Sequence, residues 1–254
     1  MGVVPGGGLT GGSPGVANCF KPALDSPRAR CKLAAAIVKT LLPADIDVAL
    51  WKPAATAAEI QTLCLAAREQ QLRAVCVNGA RVALAYAQLE ESRVKVVALV
   101  GFPLGAADAD VKRYETEAAV DADAHEIEVV ANLGLLKDGL FQPSLRELRD
   151  VVEAADERPV CVVLETALLT RDEILFAADL IVESGAQAIA TSTDFWPEVR
   201  ASADDVKLVR EAVGPKFMVK ATGGIREVPA ALALLEAGAS RLGLSHPAAW
   251  LNSL

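Results

Sequence analysis

This sequence has no paired cysteine pattern, no basic surplus and no long hydrophobic run, and each absence excludes a class of protein. Its five cysteines, Cys19, Cys31, Cys64, Cys76 and Cys161, are odd in number, scattered, and free of C-x-x-C spacing. That argues against a disulfide framework or a zinc site, and for reduced, partly buried thiols in a cytoplasmic protein. Acidic residues outnumber basic ones, giving a net charge of −8 and a pI near 4.9. Phosphate-backbone binding needs clustered Lys and Arg, so nucleic acid is not expected as a partner. No stretch reaches the roughly 18 uncharged apolar residues that span a bilayer, so no membrane is expected either. The start, MGVVPGGGLTGGSPG, lacks the basic and apolar regions of a secretory signal. Residues 1–27 read as a flexible Gly/Pro-rich leader.

What is present is apolar and periodic. Apolar residues make up 52% of the chain, ample for a sizeable core. Short runs rich in Val, Ile, Leu and Ala begin near residues 46, 74, 96, 126, 160, 188, 217 and 241. Helical periodicity fills the intervals, as in AAEIQTLCLAAREQ and RDEILFAADLIVESGA. Thr170 and Glu173 have the spacing of a capping box, and Gly185 and Gly238 stand where helices should end. Eight apolar strands alternating with helices describe parallel β/α architecture. The expectation is one α/β domain over residues 28–254, a (β/α)8 TIM barrel preceded by an extra helix at 28–41. An open doubly wound sheet would want G-x-G-x-x-G after its first strand, and LWKPAATAAE has none.

Barrel strands alternate their side chains between lumen and exterior, and chemistry collects at their C-terminal ends. Glu126, Glu128, Val130 and Asn132 share one face of the fourth strand; Ala188, Ala190 and Ser192 share one on the sixth. Met218, Lys220 and Thr222 share one on the seventh. If these faces line the lumen, Glu128 and Lys220 meet across it. A lysine inside an apolar strand is expected to be paired or functional, because an unpaired buried ammonium is costly. Cys76 and Cys161 read as core fillers, Lys137 as a solvated loop residue, and His125 as remote from chemistry.

The runs VCVN, VVALVGFPLGA, HEIEVVANLGLLKDG, LETALLT, GAQAIATSTDF and VKATGGIR, in this order, resemble the successive motifs of deoxyribose-phosphate aldolase. The resemblance covers roughly residues 46–246. It implies a metal-free, cofactor-free (β/α)8 class I aldolase that splits 2-deoxyribose 5-phosphate into glyceraldehyde 3-phosphate and acetaldehyde through a lysine Schiff base. It also implies a homo-oligomer.

Several positions depart from the family's pattern. Ala190 stands where the resemblance places the Schiff-base lysine, and Glu128 where it places a proton-relaying aspartate. Lys220 matches the family's second lysine. The first-strand motif keeps Asp47 but has Val48 and Ala49 where polar residues are usual. The resemblance assigns substrate and phosphate binding to Asp47, Thr193, Asp194, Gly223, Gly224, Arg226, Gly243 and Ser245. Of these, Asp194 replaces a glycine, and its carboxylate should repel a phosphate. His246 stands where a serine is usual. Gly223 and Gly224 read equally as a tight turn or as an anion-binding nest at a helix start.

Two readings follow. In the first, the barrel persists while aldol chemistry is lost, leaving a pseudoenzyme that binds a phosphorylated small molecule or a protein partner. In the second, the chain is a working lyase with Lys220 as the Schiff-base lysine and Glu128 as acid/base.

Overall fold

The computed structural model describes residues 43–196 and 198–245. The expected leader and helix at 28–41, and also His246 and Trp250, lie outside the described residues. Eight strands run in chain order around a closed parallel barrel: β1 (Ile46–Leu50), β2 (Ala74–Asn78), β3 (Lys95–Val100), β4 (Glu126–Val130), β5 (Val160–Val163), β6 (Ala188–Ala190), β7 (Met218–Thr222) and β8 (Arg241–Leu244). The barrel closes where β8 pairs with β1, Gly243 beside Asp47. The helices between the strands are α1 (Ala57–Glu69), α2 (Val82–Leu89), α3 (Ala109–Asp121), α4 (Leu133–Lys137), α5 (Phe141–Ala154), α6 (Arg171–Ser184), α7 (Ala203–Val213) and α8 (Val228–Glu236). This is a (β/α)8 barrel.

Strand alternation divides the apolar side chains into layers. Outward residues such as Ile46, Val75, Ile127, Ile189, Val219 and Leu242 pack under the helices in one continuous core. Burying each such side chain stabilises the fold by about 1.5–3 kcal/mol. Inward residues form two smaller clusters. Ala74, Cys76, Val97 and Leu99 gather on the β2–β3 side of the lumen, and Val130, Cys161, Val163, Ala188 and Ala190 on the β4–β6 side. Both faces of every strand are therefore covered, which is why the strands read as unbroken apolar runs.

Local signals fix several helices. Thr170 accepts from the Glu173 amide while the Glu173 carboxylate accepts from Thr170, completing the expected capping box of α6, and Gly185 follows as its C-cap. Asn132 caps α4 by accepting from Leu135 N at 3.3 Å. Lys137, expected as a solvated loop residue, is exposed but ends α4 and donates to Glu173 on α6 at 3.3 Å. At the N-terminal end of the barrel His125 Nδ1 accepts from Val96 N at 3.0 Å, and burial keeps its pKa below the usual histidine value.

A second buried ion pair stands outside the lumen. Lys112 on α3 is fully buried and donates to Glu147 on α5 at 2.7 Å and to the Val130 carbonyl at 2.9 Å. It ties two helices to the end of β4.

Candidate active site

Alternation along β7 turns Met218, Lys220 and Thr222 inward and leaves Val219 and Ala221 in the outer core. Lys220 is 3% exposed, so its amine must find partners inside the barrel. It finds two carboxylates. Nζ lies 2.6 Å from Glu128 Oε2 and 3.0 Å from Asp47 Oδ2. Cys76 Sγ is 3.7 Å away. Glycine at 243 makes the reach to Asp47 feasible, since a Cβ there would stand 2.9 Å from Lys220 Cε.

The pair belongs to a longer chain of charges. Asp47 Oδ1 also accepts from Arg73 Nη1 at 2.8 Å. Arg73 in turn pairs with Glu126, which accepts from Arg241 at 3.3 Å. Opposite charges thus alternate from Arg241 through Glu126, Arg73 and Asp47 to Lys220 and Glu128. Burial alone would favour the neutral amine of Lys220. The facing charges, Asp47 foremost, overcome it and hold the pKa well above the ordinary lysine value. Burial likewise opposes the charge on Asp47, but Lys220 and Arg73 bring its pKa below the usual range. At neutral pH both groups are ionised.

Ala190 is fully buried and lies directly beside Lys220 in the β6–β7 register. Its neighbours are the apolar side chains of the β4–β6 cluster. Beyond it the Thr191-Ser192-Thr193 segment crosses to β7. Thr191 Oγ1 donates to the Thr222 carbonyl at 2.9 Å and accepts from Thr222 N at 3.0 Å. Glu165 holds the segment from below. This carboxylate is 1% exposed, accepts from Ser192 Oγ at 2.6 Å and from Thr193 N at 3.1 Å, and also pairs with Thr193 Oγ1. Thr193, expected among the binding residues, lines the cavity described below, and its hydroxyl is held by Glu165.

The Gly223-Gly224 turn has φ of +115° and +62°, a region that favours glycine. It precedes α8 by several residues rather than forming its first turn, so the expected helix-start geometry is absent. The Gly224 amide donates to Asp194 Oδ1 at 2.7 Å. Asp194 itself has φ of +55°. Arg226 is exposed, and Ser245 borders the cavity.

A narrow cavity of about 20 Å³ connects these groups. Its lining includes Asp47, Glu128, Asp194, Lys220, Gly243 and Ser245. Trp51 and Phe102 also line it, and both pack in tilted or edge-on contact with Phe195 and with each other, ring centroids 5.5 to 6.0 Å apart. Trp51 therefore packs against other rings, and Trp196 alone of the described tryptophans is an exposed one. Cys76, expected as inert filler, lines this cavity with its thiol pKa raised well above the ordinary value by burial. The sequence reading missed Glu165 and Arg73 as parts of the site. A lone Glu after an apolar strand and an Arg before one give no periodic signal. Among the described residues no group of three or more His, Cys, Asp or Glu is placed to hold a metal, and no helix is long and apolar enough to cross a membrane.

Fold and site together define a (β/α)8 barrel with a buried amine clamped between carboxylates at its centre. The chain matches the DeoC/LacD family of aldolases over residues 39–245 and belongs to that family. It is 45% identical over 201 residues to a deoxyribose-phosphate aldolase of Exiguobacterium sibiricum, covering 79% of this chain and 90% of that protein. It is 42% identical over 208 residues to one from Alkaliphilus oremlandii, covering 82% and 93%. Its fold superposes on the tetrameric deoxyribose phosphate aldolase of Aeropyrum pernix with a TM-score of 0.76 at 27% identity, covering 87% and 94%.

Proposed function

We propose that this protein is a carbon–carbon lyase that works on a 2-deoxyaldose of the kind named for its relatives, with Lys220 as the Schiff-base amine and Glu128 as acid/base. The carrying observation is that Lys220 supplies the one amine in the cavity lining among the described residues, with the Glu128 carboxylate 2.6 Å away. Glu128 would accept a proton from the ammonium, freeing the lone pair to attack the sugar carbonyl. It would pass that proton to the carbinolamine oxygen, which leaves as water and generates the iminium. As a carboxylate again, Glu128 would take the proton of the substrate hydroxyl while the carbon–carbon bond breaks. The bonding electrons move into the iminium to give an enamine, and the first aldehyde departs. Protonation of the enamine carbon and hydrolysis by water release the second aldehyde. For 2-deoxyribose 5-phosphate the products are glyceraldehyde 3-phosphate and acetaldehyde.

Two specific observations favour a second reading, in which the barrel binds its ligand without turning it over. Ala190 lacks an amine where the family resemblance places one, and Asp47 with Glu128 keeps Lys220 protonated. Either reading accommodates a homo-oligomer like the tetrameric relative, and the second also accommodates a protein partner.

Borohydride trapping separates the two. A reduced adduct on Lys220 with 2-deoxyribose or its 5-phosphate, lost in Lys220→Ala together with acetaldehyde release, supports the lyase. No adduct at any pH, with the ligand still raising the melting temperature, supports the binding protein.

A further inference from the structure

Asp194 occupies the place in this site where a ligand's negative group would most naturally dock. Consecutive glycines at positive φ present an outward-pointing backbone amide, and such turns attract anions. Here the Gly224 amide is already taken. It donates to Asp194 Oδ1 at 2.7 Å, so the protein supplies its own anion. The contact is held from both sides. Asp194 N donates to Ser192 Oγ at 2.9 Å, and Ser192 Oγ donates to the buried Glu165 carboxylate at 2.6 Å. Across the turn, the Gly223 carbonyl accepts from Ala201 N at 2.8 Å.

The surrounding charges act in the same direction. Among the described residues three carboxylates, Asp47, Glu128 and Asp194, line the cavity against the single ammonium of Lys220. That ammonium is already shared by two of them. Arg200 and Arg226 are exposed and do not line the cavity; the Arg200 stem lies against Gly224. A phosphate dianion entering here would meet a net-negative wall at contact range, where Coulomb repulsion is least screened. An uncharged aldehyde end would meet the rings of Trp51 and Phe102 instead.

We infer that Asp194 is the specificity-determining residue of this cavity, and that its carboxylate, filling the Gly224 amide, makes the site select unphosphorylated aldoses and aldehydes over their phosphate esters. This deepens the lyase reading and rests on it for turnover, but the selectivity is equally a property of binding.

The test compares wild type with Asp194→Gly and Asp194→Asn. Glycine suits the positive φ and empties the amide; asparagine tolerates the same backbone and keeps the shape while removing the charge. Inorganic phosphate is titrated against each protein by tryptophan fluorescence and calorimetry. The expected result is no saturable phosphate binding by wild type and a dissociation constant at least about tenfold tighter in Asp194→Gly, a change worth about 1.4 kcal/mol, with Asp194→Asn between them. Competition by 2-deoxyribose 5-phosphate should improve in the same order, while 2-deoxyribose should bind all three alike. Wild type that binds phosphate as tightly as Asp194→Gly overturns the inference. So does a preference for the phosphate ester in wild type. Should Asp194→Gly fail to fold, Asp194→Asn carries the comparison, and equal phosphate affinity there overturns it as well. These titrations require no imine, so a failure of trapping at Lys220 and a failure of this inference are read separately.

Discussion

Ala190 and Lys220 are register partners on β6 and β7, their Cα atoms facing across one ladder. Side chains at such positions point the same way from strands about 4.8 Å apart. A methyl group thus stands beside the cavity's Lys220 amine. Ala190→Lys would set a second cation there, and like charges depress each other's pKa. A fall of about one unit multiplies the free amine about tenfold. Borohydride trapping near neutral pH should rise by at least that factor, while the melting temperature falls, since Ala190 is fully buried. Adding Asp194→Gly should raise turnover of the phosphate ester further. Equal trapping in wild type and Ala190→Lys would refute the assignment of Asp47 and Glu128 as the groups that raise the pKa of Lys220.

The Asp47–Lys220–Glu128 cluster predicts a definite pH profile. Lys220 is held above its ordinary 10.5, so its contribution to stability is complete below 10.5 and fades as pH climbs through the higher folded value. Asp47 is held below its ordinary 3.8, so its contribution is complete above 3.8 and fades as pH falls through the lower folded value. Lys220→Met leaves two carboxylates facing each other in the lumen, a change of about 3–5 kcal/mol. The stability difference between wild type and Lys220→Met, measured by urea unfolding, should be level between those two pH values and shrink outside them. A difference that declines steadily through neutrality would contradict the ion pairing.

Imine formation should follow the opposite course. It needs the free amine, so trapping on Lys220 should increase with pH throughout the alkaline range and show no plateau below 10.5. Glu128→Gln removes one clamp and should shift that rise to lower pH, although it also removes the nearest proton acceptor. Mass spectrometry of the reduced adduct across a pH series provides the measurement.

Gly243 lines the cavity and leaves room for the lysine. An added Cβ would press on Thr222 and stand 2.9 Å from Lys220 Cε. Gly243→Ala should cost about 1–3 kcal/mol by overpacking. It should also loosen the Asp47–Lys220 contact, seen as a lowered pH onset for trapping. Unchanged stability and an unchanged onset would show that the lysine has another path to Asp47.

Lys112 and Glu147 allow a test away from the cavity. Lys112→Met alone leaves a buried carboxylate without its cation and should lose about 3–5 kcal/mol. The double change Lys112→Met with Glu147→Met should recover most of that loss, because an apolar pair of similar volume suits a buried site. Additive losses in the double variant would mean that packing, not charge, holds α3 to α5.

The barrel was legible in the sequence because both faces of its strands are buried: eight unbroken apolar runs leave few alternatives. The capping box at Thr170 and Glu173 was legible for a similar reason, as both halves lie within one turn. Parity placed Glu128 and Lys220 on facing strands, and they touch. What parity could not give was the remainder of the cluster. Asp47 reaches Lys220 only because Gly243, on the strand between, has no side chain, and that is a fact of barrel closure. Asp194 stood out in the sequence as a carboxylate where the family resemblance places a glycine. Its bond to Gly224, 30 residues later, depends on two loops meeting above β6 and β7. Thr193 entered through the family resemblance, while its partner Glu165, 28 residues away on another loop, left no local signal.

The alternating string from Arg241 to Glu128 gives the reactive amine a dependence on the far end of the molecule. Arg241 is partly exposed beneath the barrel floor, yet it steadies Glu126, which steadies Arg73, which shares Asp47 with Lys220. Replacing any single member would leave an odd charge enclosed, so drift at these six positions should proceed in concert. Salt or a docked polyanion acting at the floor could thereby retune basicity at the opposite mouth without touching it.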